Sequence, residues 1–281
     1  MKGNIIVLIR CWGSRGSISV SGKDFLKYGG DTTCLEVVSN ENDLVILDAG
    51  TGIRVLGNRL VADNDKRVIN ILLTHAHWDH LAGFPFFKPI YMKDTRIRIF
   101  GPLSTQESLR SIISKTMSHP YFPIEFEDIS AEITFHEMDH SAVEIGALKV
   151  DAIPLSHPNQ GFGYKFSEDG KSFVFITDNE LTHEHVGGKE FDDYVEFAKD
   201  ADLLIHDAEY TREEYAHTKG WGHSVYLDTL DLALKANVKK FGLFHLNQDR
   251  TDEEEDKLVE DCKRIINENG SKLDCFAVAT G

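Results

Sequence analysis

The segment from Val68 to His80 constrains the fold and the chemistry of this chain more than any other. Val68 to Leu73 is an apolar run of strand length and predicts a buried β-strand. The run is followed at once by Thr74-His75-Ala76-His77-Trp78-Asp79-His80, which packs three histidines and an aspartate together. Open sheets place their chemistry at the ends of buried strands. Imidazole and carboxylate groups are good ligands for zinc-like cations, so the segment predicts a metal site at a strand end.

Composition narrows the class of protein further. The chain has 281 residues, of which 41% are hydrophobic, and no Pro/Gly/Ser-rich linker divides it. We therefore expect one domain over 1–281, although the length also permits two small domains. The formal net charge of −16 disfavours a large RNA or DNA footprint. It leaves room for a small anionic substrate that metal ions hold in a pocket.

The sequence also bears on location. No apolar run approaches the roughly 20 residues that span a bilayer, so no membrane partner is expected. The opening stretch from Ile5 to Gly13 predicts a strand that enters a turn rather than a signal peptide. Four scattered cysteines do not form the pattern of a disulfide framework. We interpret them as small buried thiols of a cytoplasmic protein.

Apolar runs and turn residues predict strands and helices along the whole chain. The predicted strands cover 5–11, 35–38, 44–47, 68–73, 96–100, 131–135, 148–155, 163–166, 172–177, 203–206, 240–245 and 275–279. Helices are predicted from about Ile53, over 81–87, over 104–114 with Ser104 as the cap, over 226–236 and over 252–268. The mixture favours two sheets sandwiched between helices, or α/β layers.

Three later strands end in further ligand-type residues. His157 follows one apolar strand, Asp178 a second and His245 a third. Taken singly, each is as consistent with a structural polar residue as with a ligand. Together with the 75–80 segment they supply seven nitrogen and oxygen ligands, the number that suits two cations with open or water-bridged positions.

These residues, in this order, resemble the metallo-β-lactamase-fold hydrolases over essentially the whole chain. The resemblance is greatest to the phosphodiesterase branch, which includes ribonuclease Z and small cyclic phosphodiesterases. It implies an α+β fold, a four-layer αββα sandwich, with the site at one edge of the paired sheets. It also implies that His75, His77 and His157 hold one metal, that Asp79, His80 and His245 hold the other, and that Asp178 bridges them.

A second motif selects the branch. Gly220-Trp221-Gly222-His223-Ser224 resembles the branch's histidine loop before a helix, and the segment from Leu204 to Tyr210 resembles its acidic partner. Asp207 takes the position where ribonuclease Z usually has glutamate. We expect a metal-activated hydroxide to attack phosphorus, with Asp79 orienting it and His223, supported by Asp207, acting as the acid. The alternative for His223 is a histidine packed on Trp221 at a helix start.

The substrate is expected to be a small phosphodiester such as a cyclic nucleotide or a phosphoribosyl cyclic phosphate. Ribonuclease Z carries a long arm for tRNA between its third-motif histidine and the bridging aspartate, whereas here 21 positions separate His157 from Asp178. The alternatives are a ribonuclease Z-like endonuclease, a thioesterase or a lactamase, and, from another class, a non-catalytic metal-binding regulator. Zinc is the expected metal, with manganese and iron as alternatives. A homodimer remains open.

Several other segments resemble functional sites less strongly. The segment 117–123 is aromatic and proline-bounded, and it fits either a loop that covers the pocket or core packing. His183 and His185 mimic a metal pair in a polar stretch, and His206 at a strand end is interpreted as structural. Asp31 and Thr32 are weak candidates near the site. The turn 13–16 lacks the full phosphate-loop pattern.

Overall fold

The computed structural model describes residues 7–65, 67–102, 107–139 and 141–281. Within these, the first sheet has six strands in sequential order. The first, second and third strands pair antiparallel with their neighbours, and from the third strand to the sixth the pairing is parallel. Its strands are β1 Val7–Gly13, β2 Cys34–Ser39, β3 Leu44–Leu47, β4 Ile69–Leu72, β5 Arg96–Pro102 and β6 Glu132–Met138.

The second sheet has seven strands in the described residues, and its neighbours also follow chain order. The first four of these strands pair antiparallel, and from the fourth strand to the seventh the pairing is parallel. They are β7 Val143–Ile145, β8 Leu148–Pro154, β9 Phe162–Glu168, β10 Lys171–Ile176, β11 Leu203–Asp207, β12 Lys240–Phe244 and β13 Asp274–Ala277.

The α-helices of the described residues are α1 Ile53–Ala62, α2 Trp78–Leu81, α3 Leu109–Lys115, α4 Phe191–Ala198, α5 Arg212–Thr218, α6 Tyr226–Lys235 and α7 Asp252–Glu268. Of these, α1 and α3 pack on the outer face of the first sheet, and α4, α6 and α7 pack on that of the second. The first turn of α7 shows why its start could be predicted: Thr251 accepts from the Glu254 backbone N–H, and Glu254 reaches back to the Thr251 N–H.

Strand alternation assigns the apolar side chains to three clusters. One lies between the sheets, a second lies beneath α1 and α3, and a third beneath α4, α6 and α7. In β4, Ile71 faces the helices and Leu72 faces the other sheet, because successive side chains of a strand point to opposite faces. The result is the αββα sandwich that the sequence predicted.

The structure corrects the prediction locally. The helix expected over 81–87 is instead the short α2, which ends at Leu81, followed by 3-10 turns at Phe84–Phe86 and Lys88–Tyr91. The cap of α3 is Ser108, whose hydroxyl accepts from the Ser111 N–H at 3.3 Å. The positions predicted for Ser104, and for the first strand at 5–6, lie outside the described residues. β7, α4 and α5 were not predicted.

One expectation from composition is confirmed. All four cysteines are free and buried. None of the described helices is long and apolar enough to cross a membrane.

Candidate metal centre

Polar side chains from several strand ends converge at one edge of the paired sheets. The 74–80 segment follows β4, and the other ends contribute His157 after β8, Asp178 after β10, Asp207 at the end of β11 and His245 after β12. Asp178 and His245 have positive φ, 50° and 54°. Left-handed backbone is uncommon for non-glycine residues but several-fold enriched for aspartate and histidine, so both residue types can hold this conformation at a strand end.

Four of these residues form the first candidate metal position. The donor atoms of His75, His77, His157 and Asp178 lie within 4.8 Å of one another. His77 Nδ1 lies 3.1 Å from His157 Nε2, and His75 Nε2 lies 3.5 Å from Asp178 Oδ2.

The second candidate position shares Asp178 with the first. Asp79, His80, Asp178 and His245 also have donor atoms within 4.8 Å of one another. His80 Nε2 lies 3.2 Å from Asp178 Oδ1 and 3.3 Å from Asp79 Oδ2. His245 Nε2 lies 3.1 Å from Asp79 Oδ2 and 3.4 Å from Asp178 Oδ2. The structure therefore brings all seven predicted ligands together, with one carboxylate common to both groups.

In three of these histidines the outer ring nitrogen, Nδ1, is occupied, which leaves Nε2 for the centre. His80 Nδ1 pairs with Asp48 at 2.8 Å, His245 Nδ1 with Glu209 at 2.8 Å, and His157 Nδ1 with the Gly222 carbonyl at 3.0 Å. Such partners fix the orientation and the tautomer of a metal-binding histidine. At Gly222 a Cβ would come within 2.0 Å of the His157 ring, so the close approach requires glycine.

Burial and charge perturb the titration of the cluster. Burial lowers the pKa of His157 to about 3, and it also holds the pKa of His75 well below its ordinary value. Burial alone would lower the pKa of His80, but the carboxylates of Asp178, Asp79 and Asp48 raise it well above its ordinary value. The centre therefore mixes neutral imidazoles with carboxylates that demand positive charge.

The donor set fits two divalent cations. The buried Nε2 atoms of His75 and His80 have no hydrogen-bond partner, which is costly for a polar atom unless it has a ligand. No lysine or arginine side chain is among the described hydrogen-bond or ion-pair partners of Asp79 or Asp178. Cations held by the seven ligands would satisfy both requirements.

A proton-donor candidate lies beside the second position. His223 Nδ1 lies 2.8 Å from Asp207 Oδ2, and the His223 ring stacks on His245 with centroids 4.6 Å apart. Burial alone would lower the pKa of His223, but the carboxylates of Glu209 and Asp207 raise it to about 9. The structure thus places the predicted pair in contact at the centre.

Sequence reasoning missed Glu209. Its Oε2 atom lies 2.8 Å from His245 Nδ1 and 3.4 Å from His223 Nδ1, so one carboxylate contacts both the candidate ligand and the candidate acid. The available signal was its place two residues after Asp207, at the same strand end.

It also missed Glu180, which organises the loop that carries His223. This buried carboxylate accepts from the backbone N–H groups of Gly220 and Gly222 at 2.7 and 2.8 Å and from the Tyr215 hydroxyl at 2.6 Å. His185 Nε2 contacts the same carboxylate at 2.7 Å. The Gly222 carbonyl oxygen in turn contacts His157 Nδ1. By binding the loop backbone, Glu180 therefore fixes the loop both where it carries His223 and where it contacts His157.

Most of the weaker candidates have structural partners. His185 is bound to Glu180, and the His206 ring is buried with Nδ1 2.7 Å from the Asp207 carbonyl oxygen. The ring centroids of His183 and His185 lie 4.8 Å apart, and His183 is in neither candidate metal position.

The candidates in the first third of the chain tie loops together. Asp31 Oδ1 accepts from the Thr51 hydroxyl at 2.8 Å, and Thr32 Oγ1 accepts from the Thr51 N–H at 2.9 Å. In the turn 13–16, buried Arg15 donates to the Gly29 carbonyl oxygen, which gives the turn a structural role.

A cavity of about 650 Å³ opens beside the first metal position. Its wall includes α3, whereas the segment 117–123 is not among its lining residues. Met117 is buried in the core, Phe122 packs on Phe86 with ring centroids 5.5 Å apart, and Tyr121 is exposed. Met117 and Phe122 of that segment therefore pack in the protein rather than cover the cavity.

Removing bound metal should lower the thermal stability of the protein. A ligand at 1,000 times its dissociation constant stabilises the folded state by about 4 kcal/mol, so chelation should lower the melting temperature by about 10 °C. Calorimetry on protein with about two metals per chain by elemental analysis, before and after chelation, measures this. Readdition of zinc should restore the value. An unchanged melting temperature after verified metal loss would contradict the fit.

The chain resembles known proteins along most of its length. A family model described as beta-lactamase superfamily domain matches residues 44–246. Ribonuclease Z of Sulfurisphaera tokodaii is 29% identical over 224 residues, which cover 69% of this chain and 74% of that protein. Ribonuclease Z of Exiguobacterium sibiricum is 24% identical over 239 residues, covering 73% and 79%.

The fold comparison agrees with the family match. The crystal structure of the metallo-beta-lactamase fold protein YhfI from Bacillus subtilis superposes with a TM-score of 0.71 and 13% identity, covering 98% of this chain and 97% of that one. The family match covers most of the chain, and the His/Asp cluster within it is able to bind divalent metal. The protein therefore belongs to the family described as beta-lactamase superfamily domain and is a hydrolase of metallo-β-lactamase fold.

Proposed function

We propose that this protein is a dinuclear metal-dependent phosphodiesterase that acts on a small phosphodiester. The observation that carries the proposal is the placement of His223, bound to Asp207 at 2.8 Å, beside a centre with one shared carboxylate. A hydrolase needs such a non-ligand proton donor when its leaving group is an alkoxide. The relatives named ribonuclease Z support phosphodiester chemistry.

In this proposal the seven ligands divide as the resemblance to the metallo-β-lactamase-fold hydrolases implies. His75, His77 and His157 hold one ion. The residues Asp79, His80 and His245 hold the other, and Asp178 is shared. Two divalent ions at these positions would lower the pKa of a water molecule and polarise a phosphoryl oxygen. Imidazole and carboxylate donors favour zinc, with manganese and iron as alternatives.

The protein's own residues move the protons. Asp207 engages Nδ1 of His223, so Nε2 is the ring nitrogen that donates to the leaving oxygen as the P–O bond breaks. The carboxylates of Glu209 and Asp207 favour the protonated ring. The Ser17 backbone N–H donates to Asp79 Oδ2 at 2.9 Å, and this contact fixes the orientation of the carboxylate, which we propose to orient the attacking water as well as bind metal.

The topology between two candidate ligands and the net charge of the chain both favour a small substrate. The 20 residues between His157 and Asp178 contain β9 and β10 joined by a tight turn, and no arm extends from them. The net charge of −16 opposes binding of a long polyanion. A small anionic diester is therefore the proposed partner. A ribonuclease Z-like activity is the second candidate, favoured by the names of the relatives.

A substrate panel on metal-analysed protein tests the proposal. The panel contains a chromogenic phosphodiester, cyclic nucleotides, phosphoribosyl cyclic phosphate, precursor tRNA, a thioester and a β-lactam. We expect turnover of the small diesters and little or none of the others. Thioester or lactam cleavage without diester cleavage would overturn the proposal, and no cleavage by fully loaded protein would favour a non-catalytic regulator.

A further inference from the structure

Two buried arginines, Arg15 and Arg250, bind the loops that carry one half of the metal centre. Arg15 is fully buried and Arg250 is 6% exposed, and neither lines the cavity beside the first metal position. Arginine is almost never buried to this extent unless its guanidinium group is paired. The partners of the two side chains therefore indicate what they do.

Arg250 binds the segment that carries Glu209. Its Nη1 atom donates to the backbone carbonyl oxygen of Glu209 at 2.9 Å. The carboxylate of Glu209 lies 2.8 Å from His245 Nδ1, on the side of the ring away from the centre. Because Arg250 fixes the backbone of Glu209, the carboxylate meets His245 from a defined position.

The charge of Arg250 is balanced by acids outside the centre. Its Nη1 atom also donates to Glu255 Oε1 at 3.1 Å, and its Nη2 atom donates to Glu214. A rigid guanidinium fork is able to bind two acids and a carbonyl oxygen at once, which a lysine ammonium does less well. A buried ion pair contributes little net stability, because desolvation offsets the attraction. The arrangement therefore suits a residue that fixes position.

Arg15 joins Arg250 to a second loop at the centre. Its Nη1 atom donates to the carbonyl oxygens of Arg250 at 3.0 Å and of Asn247 at 3.2 Å. Its Nη2 atom lies 3.2 Å from Asp252 Oδ1 at the start of α7. One side chain thus ties the turn 13–16 to the chain that follows His245.

The loop that carries Arg15 contacts the second metal position through its backbone. The Ser17 N–H donates to Asp79 Oδ2 at 2.9 Å. The Gly16 N–H donates to the Leu246 carbonyl oxygen at 3.0 Å, and a Cβ at Gly16 would lie 2.2 Å from the His245 ring. The loop therefore lies against two candidate ligands, Asp79 and His245.

The first metal position lacks this support. Among the described hydrogen bonds and ion pairs, none joins Arg15, Arg250 or Glu209 to a histidine of that position. His157 is held instead by the Gly222 carbonyl oxygen. The two positions share Asp178 but are fixed by different parts of the chain.

We propose that Arg15 and Arg250 are positioning residues for the second metal position alone. Arg250 holds Glu209 against His245, and Arg15 ties this segment to the loop that holds Asp79. Neither arginine touches the metal or the substrate. The proposal rests on the proposed function for the occupancy of the two positions, and it does not depend on the reaction.

Zinc titration of the metal-free protein, in competition with a chromogenic chelator, tests the proposal without turnover. Arg250→Met and Arg15→Met should each lower the affinity of one zinc site by about 10- to 100-fold, the range for groups that hold a metal-binding histidine, and leave the other unchanged. Arg250→Lys, which keeps the charge and one donor, should recover part of the loss. Arg59→Met removes an arginine from another buried carboxylate, Glu36, and is the matched control that should change neither site.

A second comparison identifies the site that is affected. His77→Ala removes a ligand of the first position, so Arg250→Met should still weaken the remaining site by the same factor. His245→Ala removes the ligand that Glu209 contacts, so Arg250→Met should have no further effect there. Residues that act through one another show this non-additivity, whereas independent residues do not.

Loss of Arg250 leaves Glu255 buried without its partner, which destabilises the fold. The double variant Arg250→Met/Glu255→Gln removes both charges, and the melting temperature of the metal-free protein reports whether it folds as the wild type does. Selective weakening of the second site in this variant supports the proposal. Equal weakening of both sites, or no weakening, overturns it. A wild type that binds two zinc ions but hydrolyses no diester overturns the proposed function and leaves this result standing.

Discussion

Replacing Asp178 with alanine should reduce the metal content from two ions per chain to at most one and lower diester turnover by at least about 10³-fold. Of the three close donor groups in the described residues, the two at the centre of the proposal have Asp178 as their common member. Its two oxygens face His80 at 3.2 Å and His75 at 3.5 Å. Loss of the shared ligand removes a transition-state contribution of several kcal/mol, and each 1.36 kcal/mol is tenfold in rate.

Two further variants make this result specific. Asp178→Asn keeps the volume and one oxygen but loses the negative charge, so its metal content and turnover should lie between those of the wild type and Asp178→Ala. Asp274→Asn removes an exposed carboxylate on β13 and should change neither quantity. Elemental analysis and steady-state kinetics measure both. Two metals and normal turnover in Asp178→Ala would show that this carboxylate is not the bridge.

The parts of the fold that could be predicted are those whose signals are local. The helix at Asp252–Glu268 was predicted at both ends, because a capping box starts it and an amphipathic pattern runs through it. The strand before His75 was predicted because an apolar run, broken only by Asn70, ends abruptly in polar residues. In contrast, β7 has three residues, which is too short for any periodic signal.

The site shows the same division between local and distant signals. The candidate ligands His157, Asp178 and His245 could be found because each follows a strand. Glu180 could not, because its role depends on backbone groups 40 and 42 positions away in the sequence. The sequence around such a buried carboxylate contains no local signal of its role. Only the fold reveals that Glu180 holds the loop on which His223 depends.

His223→Ala should keep both metals and lower diester turnover by about 10²- to 10⁴-fold, the range that general acid catalysis contributes. The ring lies outside the two positions that share Asp178, although it forms a third close donor group with Asp207 and His245, and it is bound by Asp207. The loss should be greatest for substrates with alkoxide leaving groups and smallest for 4-nitrophenolate, which departs without a proton. Elemental analysis and a comparison of the two substrate types measure this. Equal losses for both leaving groups, or normal turnover with normal metal content, would reject the acid role.

The two carboxylates behind His223 should be separable by the same measurements. Asp207 contacts His223, and no contact of its side chain with a candidate ligand is found among the described hydrogen bonds and ion pairs. Asp207→Asn should therefore lower turnover with two metals retained, because its effect passes through the histidine. Glu209 also lies 2.8 Å from His245 Nδ1, and Glu209→Gln should lower metal affinity by about 10- to 100-fold as well. If Asp207→Asn instead lost metal as readily as Glu209→Gln, His223 would be a part of the metal-binding structure rather than a proton donor beside it.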